Sequence, residues 1–217
     1  MSVDPEPGLG LCPDIRDPRV MVAVPRARRT ATATLWMLAE RLTKLLIDAR
    51  EPLIGQIKLA WWRDMMVMLS EKPSALPKGE PLLAELQRRW TGCAGLDTLV
   101  DAAEALLLAE DAAERRAAAM AFGQNLFTLS AGTEAVGDGA GHRWGLLWGA
   151  CVQDAAEDGL ALIGAAAAAG APPRSAFGGH RALLMLDRWA ASIAAHGGAR
   201  RWRAEGLLLL RLGLIGR

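Results

Sequence analysis

The chain has 217 residues, with 25 Lys and Arg against 24 Asp and Glu, so its formal net charge is only +1. A balance this even gives no overall electrostatic attraction to nucleic acid or to an acidic membrane. Hydrophobic residues make up 52% of the chain, and this length is sufficient for one domain that buries its own core. Tyrosine is absent and aromatic residues are few, so strand-forming residues are scarce and an all-α fold is predicted.

The chain contains three cysteines, Cys12, Cys93 and Cys151. Their odd number and wide spacing match neither a metal-ligand pattern nor a disulfide framework, which favours a reducing compartment. The N-terminal residues are acidic and proline-rich, unlike a signal peptide. Uncharged runs such as residues 159–173 are shorter than the roughly 20 residues that span a bilayer. We therefore expect a cytoplasmic protein, with peripheral contact to the inner membrane left open.

Helices are predicted along most of the chain after an extended arm at residues 1–18, which contains four prolines. Leucine and alanine recur at three- and four-residue spacing, and proline or glycine marks most helix boundaries. No repeat or linker divides residues 19–217, so these residues are predicted to form a single helical domain. The predicted helices cover residues 26–50, 52–70, 81–90, 96–109, 111–130, 142–169, 177–195 and 200–212, and residues 132–141 are predicted to form a loop.

The most distinctive stretch is residues 51–66, with the sequence EPLIGQIKLAWWRDMM. Ile54, Ile57 and Trp61 recur at three- and four-residue spacing and predict one apolar face of a helix. Trp62 lies off that line, so the apolar surface is broad and is expected to be buried between several helices. The two tryptophans are therefore interpreted as packing residues.

This stretch resembles the squalene/phytoene synthase family, and the resemblance extends over residues 29–66. It is strongest at Glu51-Pro52, at residues 55–59 and at residues 61–64. The resemblance implies a single-domain helical bundle of the isoprenoid synthase type. Active members of that family condense two prenyl diphosphates, and aspartates on two facing helices hold the Mg²⁺ that grips the diphosphates. Carboxylates serve there because Mg²⁺ prefers hard oxygen ligands and bridges them to phosphate oxygens.

The family's first aspartate-rich motif has the form R-x-x-D-D-x-x-D. Its positions correspond here to Arg41, Lys44, Leu45 and Asp48, so one aspartate of three remains. A lysine ammonium about 5 Å from Mg²⁺ would repel the ion by roughly 6 kcal/mol at an effective dielectric constant near 20. The resemblance therefore implies that the first metal site is lost.

The family's second motif corresponds to Asp154, Glu157 and Asp158, whose spacing puts three carboxylates on one helical face. A solvated acidic turn is the alternative interpretation, and a neighbouring register would put Val152 at the metal position. No cofactor is expected unless the chain is active. In an active chain, the catalytic residues would be Asp48, Asp154, Glu157 and Asp158, with Mg²⁺ held by Asp48, Asp154 and Asp158.

Basic residues near these motifs are candidates for binding a diphosphate or an anionic lipid headgroup. In the resemblance, Arg26, Arg28 and Arg29 lie near the mouth of the prenyl pocket. Charges that merely flank the start of a helix are an equally good interpretation of these three arginines. The candidate ligand-binding residues are Arg26, Arg28, Arg29, Arg41, Lys44 and Arg63.

The missing aspartates favour the degenerate branch of the family, which includes assembly factors for respiratory complex I. The leading hypothesis is a pseudoenzyme that binds a prenyl or lipid-like ligand or a protein partner, for example during respiratory-complex assembly. One alternative is an active Mg²⁺-dependent prenyl transferase of isoprenoid biosynthesis. Another is a helical interaction protein whose cavity has collapsed. A deep apolar cavity would favour ligand binding, whereas a filled one would favour the interaction protein.

Overall fold

A computed structural model describes residues 12–215 of the chain, so residues 1–11 of the predicted arm and residues 216–217 lie outside the described part. The described residues form ten α-helices and three short 3-10 helices, and none of them lies in a β-strand. The all-α prediction is confirmed. The α-helices are α1 (Pro18–Met21), α2 (Arg29–Ile47), α3 (Pro52–Glu71), α4 (Pro81–Trp90), α5 (Asp97–Leu108), α6 (Ala112–Ala131), α7 (His142–Cys151), α8 (Ala156–Ala168), α9 (Arg181–Ala194) and α10 (Trp202–Ile215).

The predicted helix over residues 142–169 is interrupted, because α7 ends at Cys151 and α8 begins only at Ala156. The side-chain amide of Gln153 donates to the carbonyl oxygen of Gly149 at 3.0 Å. This is the acceptor that the backbone N–H of Gln153 would use if the helix continued, so the side chain competes with helix formation. The remaining helix predictions agree with the observed bounds to within four residues.

Helices α6 and α7 pack against each other with almost no space between their backbones. A Cβ atom added at Gly123 of α6 would lie 2.2 Å from the carbonyl oxygen of Gly141, and one added at Gly145 of α7 would lie 2.2 Å from the carbonyl oxygen of Ala119. Since the neighbouring atoms belong to the backbone, no side-chain rotation can make room. The glycines therefore set the distance between α6 and α7, and with it the position of the tryptophans of α7.

A buried ion pair joins α7 to α9. The guanidinium of Arg143 donates to both carboxylate oxygens of Asp187, with Nε at 3.0 Å from Oδ1. Asp187 is fully buried and Arg143 nearly so. Arg188 contributes a second positive charge, with its Nη1 at 3.3 Å from Oδ2 of Asp187. The pair orients α9 against α7 in the interior of the bundle.

The prediction that the apolar face of α3 is buried is wrong for most of that face. Trp62 is 3% exposed and packs in the core as predicted, but Leu53 is 67% exposed, Ile57 is 63% exposed and Trp61 is 40% exposed. The opposite side of α3 packs against α2, α4 and α5, and no helix of the described chain covers the outward side. We call this surface the α3 outer face; it consists of Leu53, Ile54, Ile57 and Trp61.

Helix α10 also exposes apolar side chains. Leu207, Leu210 and Leu214 are exposed at three- and four-residue spacing, and Arg203 lies on the same side of the helix. No helix within residues 12–215 is both long and apolar enough to cross a membrane. Peripheral contact of this basic, apolar surface with a membrane stays a prediction.

Candidate functional site

The predicted acidic motifs lie near the C-terminal end of α2 and the N-terminal end of α8. Asp48 is exposed and caps α2, whereas Asp154 is exposed in the break between α7 and α8. Glu157 and Asp158 belong to the first turn of α8. Because Asp154 precedes this helix, the prediction that the three carboxylates of the second motif share one helical face does not hold.

Two of these carboxylates, Asp154 and Asp158, line an open cavity of about 300 Å³ beside the end of α2. Asp48 is not part of its lining. Asp158 is paired with Arg115 at 3.0 Å, and Arg50 adds positive charge to the same cavity. Within the described chain, no three His, Cys, Asp or Glu side chains come together as a group that could hold a metal ion. These residues do not fit the Mg²⁺ sites that the resemblance implies.

The first motif is occupied by ion pairs within the protein. Lys44 contacts Oε1 of Glu40 at 2.8 Å, and Arg16 contacts Oε2 of the same carboxylate at 2.8 Å. Hydrogen bonds from Lys44 and Arg16 lower the pKa of Glu40 below its ordinary value. The lysine at the position of a metal-binding aspartate thus neutralises a carboxylate one turn earlier on α2.

Arg41 and Arg63, two of the predicted ligand-binding residues, also have carboxylate partners. Arg41 contacts Glu80 at 3.2 Å and lies over the ring of Trp62. Arg63 binds Glu104 and Asp101 of α5, and these contacts raise the pKa of its guanidinium. A diphosphate would have to compete with these carboxylates for both arginines.

The three arginines before and at the start of α2 do not form one basic group. Arg26 is exposed, and Arg29 donates to the carbonyl oxygens of residues 22 and 24. Arg28 lines a cavity of about 350 Å³, and its guanidinium donates to the carbonyl oxygen of Ala131 at the end of α6. Arg28 therefore caps a helix that ends at this cavity.

The cavity beside Arg28 carries groups of both signs. His180 lies there with its Nε2 atom 2.9 Å from the carboxylate of Glu134, outside hydrogen-bonding geometry. Burial lowers the pKa of His180, against the opposing effect of Glu134. Arg181 also lines the cavity, so its charged side chains are two arginines and one glutamate.

The cleft between α2 and α7 is filled by four side chains that we call the aromatic cluster: Trp36, Phe122, Trp144 and Trp148. Trp148 stacks on Phe122 with ring centroids 3.7 Å apart, and Trp144 meets Trp36 edge to face at 5.1 Å. All four side chains are buried. Two indole N–H groups donate to hydroxyl groups, that of Trp36 to Ser130 at 3.0 Å and that of Trp148 to Thr43 at 2.9 Å. Aromatic packing and satisfied N–H groups make this a stable, closed region.

Residues 12–17, the N-terminal segment, close the cleft from outside. The carbonyl oxygen of Pro13 accepts a hydrogen bond from the indole of Trp144 at 2.7 Å, and Ile15 is buried in the core. Only about 100 Å³ of space remains between the segment and the aromatic cluster. Residues 12–17 of the predicted arm are therefore packed against the bundle.

The N-terminal segment also carries a contact that the sequence did not predict. The Sγ atoms of Cys12 and Cys151 lie 3.2 Å apart. Like the ion pair of Arg143 and Asp187, this contact joins residues far apart in the chain, and neither pair has a local spacing that would reveal it. The expectation that the cysteines match no disulfide framework was based on their spacing in the sequence. Spacing in the sequence does not show which cysteines lie close together in the fold.

No protein-family model, curated protein or solved structure is significantly similar to this chain. The resemblance to the squalene/phytoene synthase family therefore stays a prediction.

Proposed function

We propose that the chain is a squalene/phytoene synthase-like pseudoenzyme with an isoprenoid synthase-type bundle, and that it binds a protein partner instead of transferring prenyl groups. The observation that carries the proposal is the filled cleft between α2 and α7. In the resemblance, these helices flank the prenyl pocket. Here the aromatic cluster and the N-terminal segment occupy that space.

The remaining space does not suit prenyl diphosphates. Pockets for small molecules typically have volumes of about 300–1,000 Å³ and are largely apolar, whereas the cleft retains about 100 Å³. Ionisation of an allylic diphosphate also requires positive charge held on the leaving group in a dry site. Lys44, Arg41 and Arg63 instead neutralise carboxylates of the protein. These features support loss of the transferase reaction and disfavour a prenyl ligand held in the cleft.

The α3 outer face supports the binding of a partner. Leu53, Ile57 and Trp61 recur every four residues and form an exposed apolar ridge, about 12 Å long at 1.5 Å per residue. Ridges of this spacing pack into the grooves of another helix. Lys58 and Asp64 are exposed on α3 as well, and charges of both signs suit a protein helix better than an anionic lipid surface. The partner would therefore present an amphipathic helix, and a respiratory-complex assembly intermediate is the kind of partner that the resemblance suggests.

Incubation with farnesyl or geranylgeranyl diphosphate and Mg²⁺ tests the loss of transferase activity. We expect no release of diphosphate above the rate without protein, because the cleft is filled and the basic side chains of the first motif pair with other groups of the protein. The variant Lys44→Asp/Leu45→Asp restores the family's first motif but leaves the aromatic cluster in place, so it should also be inactive. Diphosphate release that Asp154→Asn abolishes would contradict the proposal.

A further inference from the structure

The two cysteines at the edge of the aromatic cluster are held together by the fold. Cys12 begins the N-terminal segment and Cys151 is the last residue of α7. Their Sγ atoms are 3.2 Å apart although 139 positions separate them in the sequence. We propose that Cys12 and Cys151 are a site of covalent modification, at which an intramolecular disulfide forms reversibly and fastens the N-terminal segment across the cleft.

Contacts on both sides of the cysteine pair make this proximity a property of the fold. The hydrogen bond from Trp144 to the carbonyl oxygen of Pro13 anchors the residue next to Cys12. Arg16, four residues after Cys12, is paired with Glu40 of α2. On the other side, Cys151 is buried at the end of a helix whose position is fixed by backbone contact with α6. An S–S bond is about 2.05 Å long, so the sulfur atoms need to approach by only about 1 Å. Cys12 lies outside any helix and can make this movement.

Cys12 is more accessible to solvent than Cys151, so Cys12 should react first with a small-molecule disulfide such as oxidised glutathione. Cys12 is half-buried and Cys151 is buried. The Cys12 thiolate attacks the glutathione disulfide, which forms a mixed disulfide and releases one glutathione thiolate. The Cys151 thiolate then attacks Sγ of Cys12 and releases the second. The two cysteine thiols lose their protons to the two departing thiolates, so two cysteines are oxidised and one glutathione disulfide is reduced.

Burial slows the reaction without changing its outcome. Desolvation raises the pKa of the Cys12 thiol, so less of the reactive thiolate is present at neutral pH. The disulfide would therefore form faster as pH rises toward 9. Cys93 is exposed, and it provides an internal reference thiol that the same oxidant can reach.

Mass spectrometry of the full-length chain tests the proposal. The protein is fully reduced, exchanged into buffer with excess oxidised glutathione at pH 8.5, treated with an alkylating reagent and digested without reductant. We expect a peptide that links Cys12 to Cys151, the loss of two hydrogen atoms from the protein, and Cys93 as the only cysteine open to alkylation or glutathionylation. Addition of dithiothreitol should restore three free thiols.

Three Cys→Ser variants test whether the disulfide forms specifically between Cys12 and Cys151. Cys93→Ser should form the disulfide as the wild type does, whereas Cys12→Ser and Cys151→Ser should not. Because the bond closes a very long loop, oxidation should raise the Tm of Cys93→Ser by up to roughly 10 °C and leave that of Cys12→Ser unchanged. Glutathione retained on Cys12 without the linked peptide, or three free thiols after prolonged oxidation, would overturn the proposal.

Discussion

Asp187→Ala is expected to lower the free energy of unfolding by about 3–5 kcal/mol. Asp187 is fully buried and accepts hydrogen bonds from Arg143 through both carboxylate oxygens. Its removal leaves the guanidinium of Arg143 buried without a counter-charge, and Arg188 loses its nearby carboxylate as well. Urea denaturation followed by circular dichroism measures the change through the midpoint and slope of the unfolding transition.

Two controls isolate the cost of the unpaired charge. Arg143→Met/Asp187→Leu removes both charges and keeps apolar volume, so it should cost less than Asp187→Ala alone. Glu85→Ala removes one partner of the exposed pair between Glu85 and Arg88 and should change stability by less than about 0.5 kcal/mol. If Asp187→Ala costs no more than Glu85→Ala, the ion pair does not hold α9 against α7.

Gly145→Ala is expected to destabilise the protein by about 3 kcal/mol or more, at the upper end of the cost of overpacking a core. The added methyl group would lie 2.2 Å from the carbonyl oxygen of Ala119 and 3.0 Å from the backbone of Gly123. Only separation of α6 from α7 can relieve this contact, and that movement would pull Trp148 away from Phe122. Chemical denaturation measures the loss of stability, and near-ultraviolet circular dichroism of the tryptophans reports the change in packing.

Gly164→Ala is the matched control for Gly145→Ala. Gly164 lies inside α8, and a Cβ atom there would meet no atom beyond its own stretch of helix within 4 Å. Alanine should therefore stabilise the protein by about 0.5–1 kcal/mol, because glycine costs conformational entropy in a helix. Destabilisation by both substitutions to the same extent would show that helix packing is not the cause.

The sequence predicts the helices well because leucine and alanine periodicity, proline and glycine act locally. The break at residues 152–155 escapes such prediction, since it contains neither proline nor glycine and the competing hydrogen bond from the amide of Gln153 is visible only in the structure. Periodicity also identifies an apolar face of α3 without showing what covers it. The exposure of Ile57 and Trp61 depends on the arrangement of α2, α4 and α5 around the other side of the helix.

The candidate site is less predictable than the fold. The motif positions on α2 follow from the resemblance, but the partners of their charged side chains do not. Arg63 contacts Asp101 and Glu104 of α5, which follow it by 38 and 41 residues. No local spacing in the sequence links these residues. The filling of the cleft is likewise a tertiary property, because Trp36 and Trp144 come together only once α2 and α7 have packed.

We propose that the chain binds its partner through the α3 outer face. The most direct test is a photoreactive side chain placed at Ile57 in the native cell, with Val22 as the reference position. Both residues are apolar and similarly exposed, at 63% and 66%, but Val22 follows α1. We expect one protein to be crosslinked from position 57 and not from position 22, through a peptide that forms an amphipathic helix.

The crosslinked protein, once identified and purified, should bind the wild-type chain with an affinity that Leu53→Glu lowers at least tenfold. Val22→Glu should leave this affinity unchanged. A crosslink from position 57 only to a second copy of the chain, or to no protein, would contradict the account.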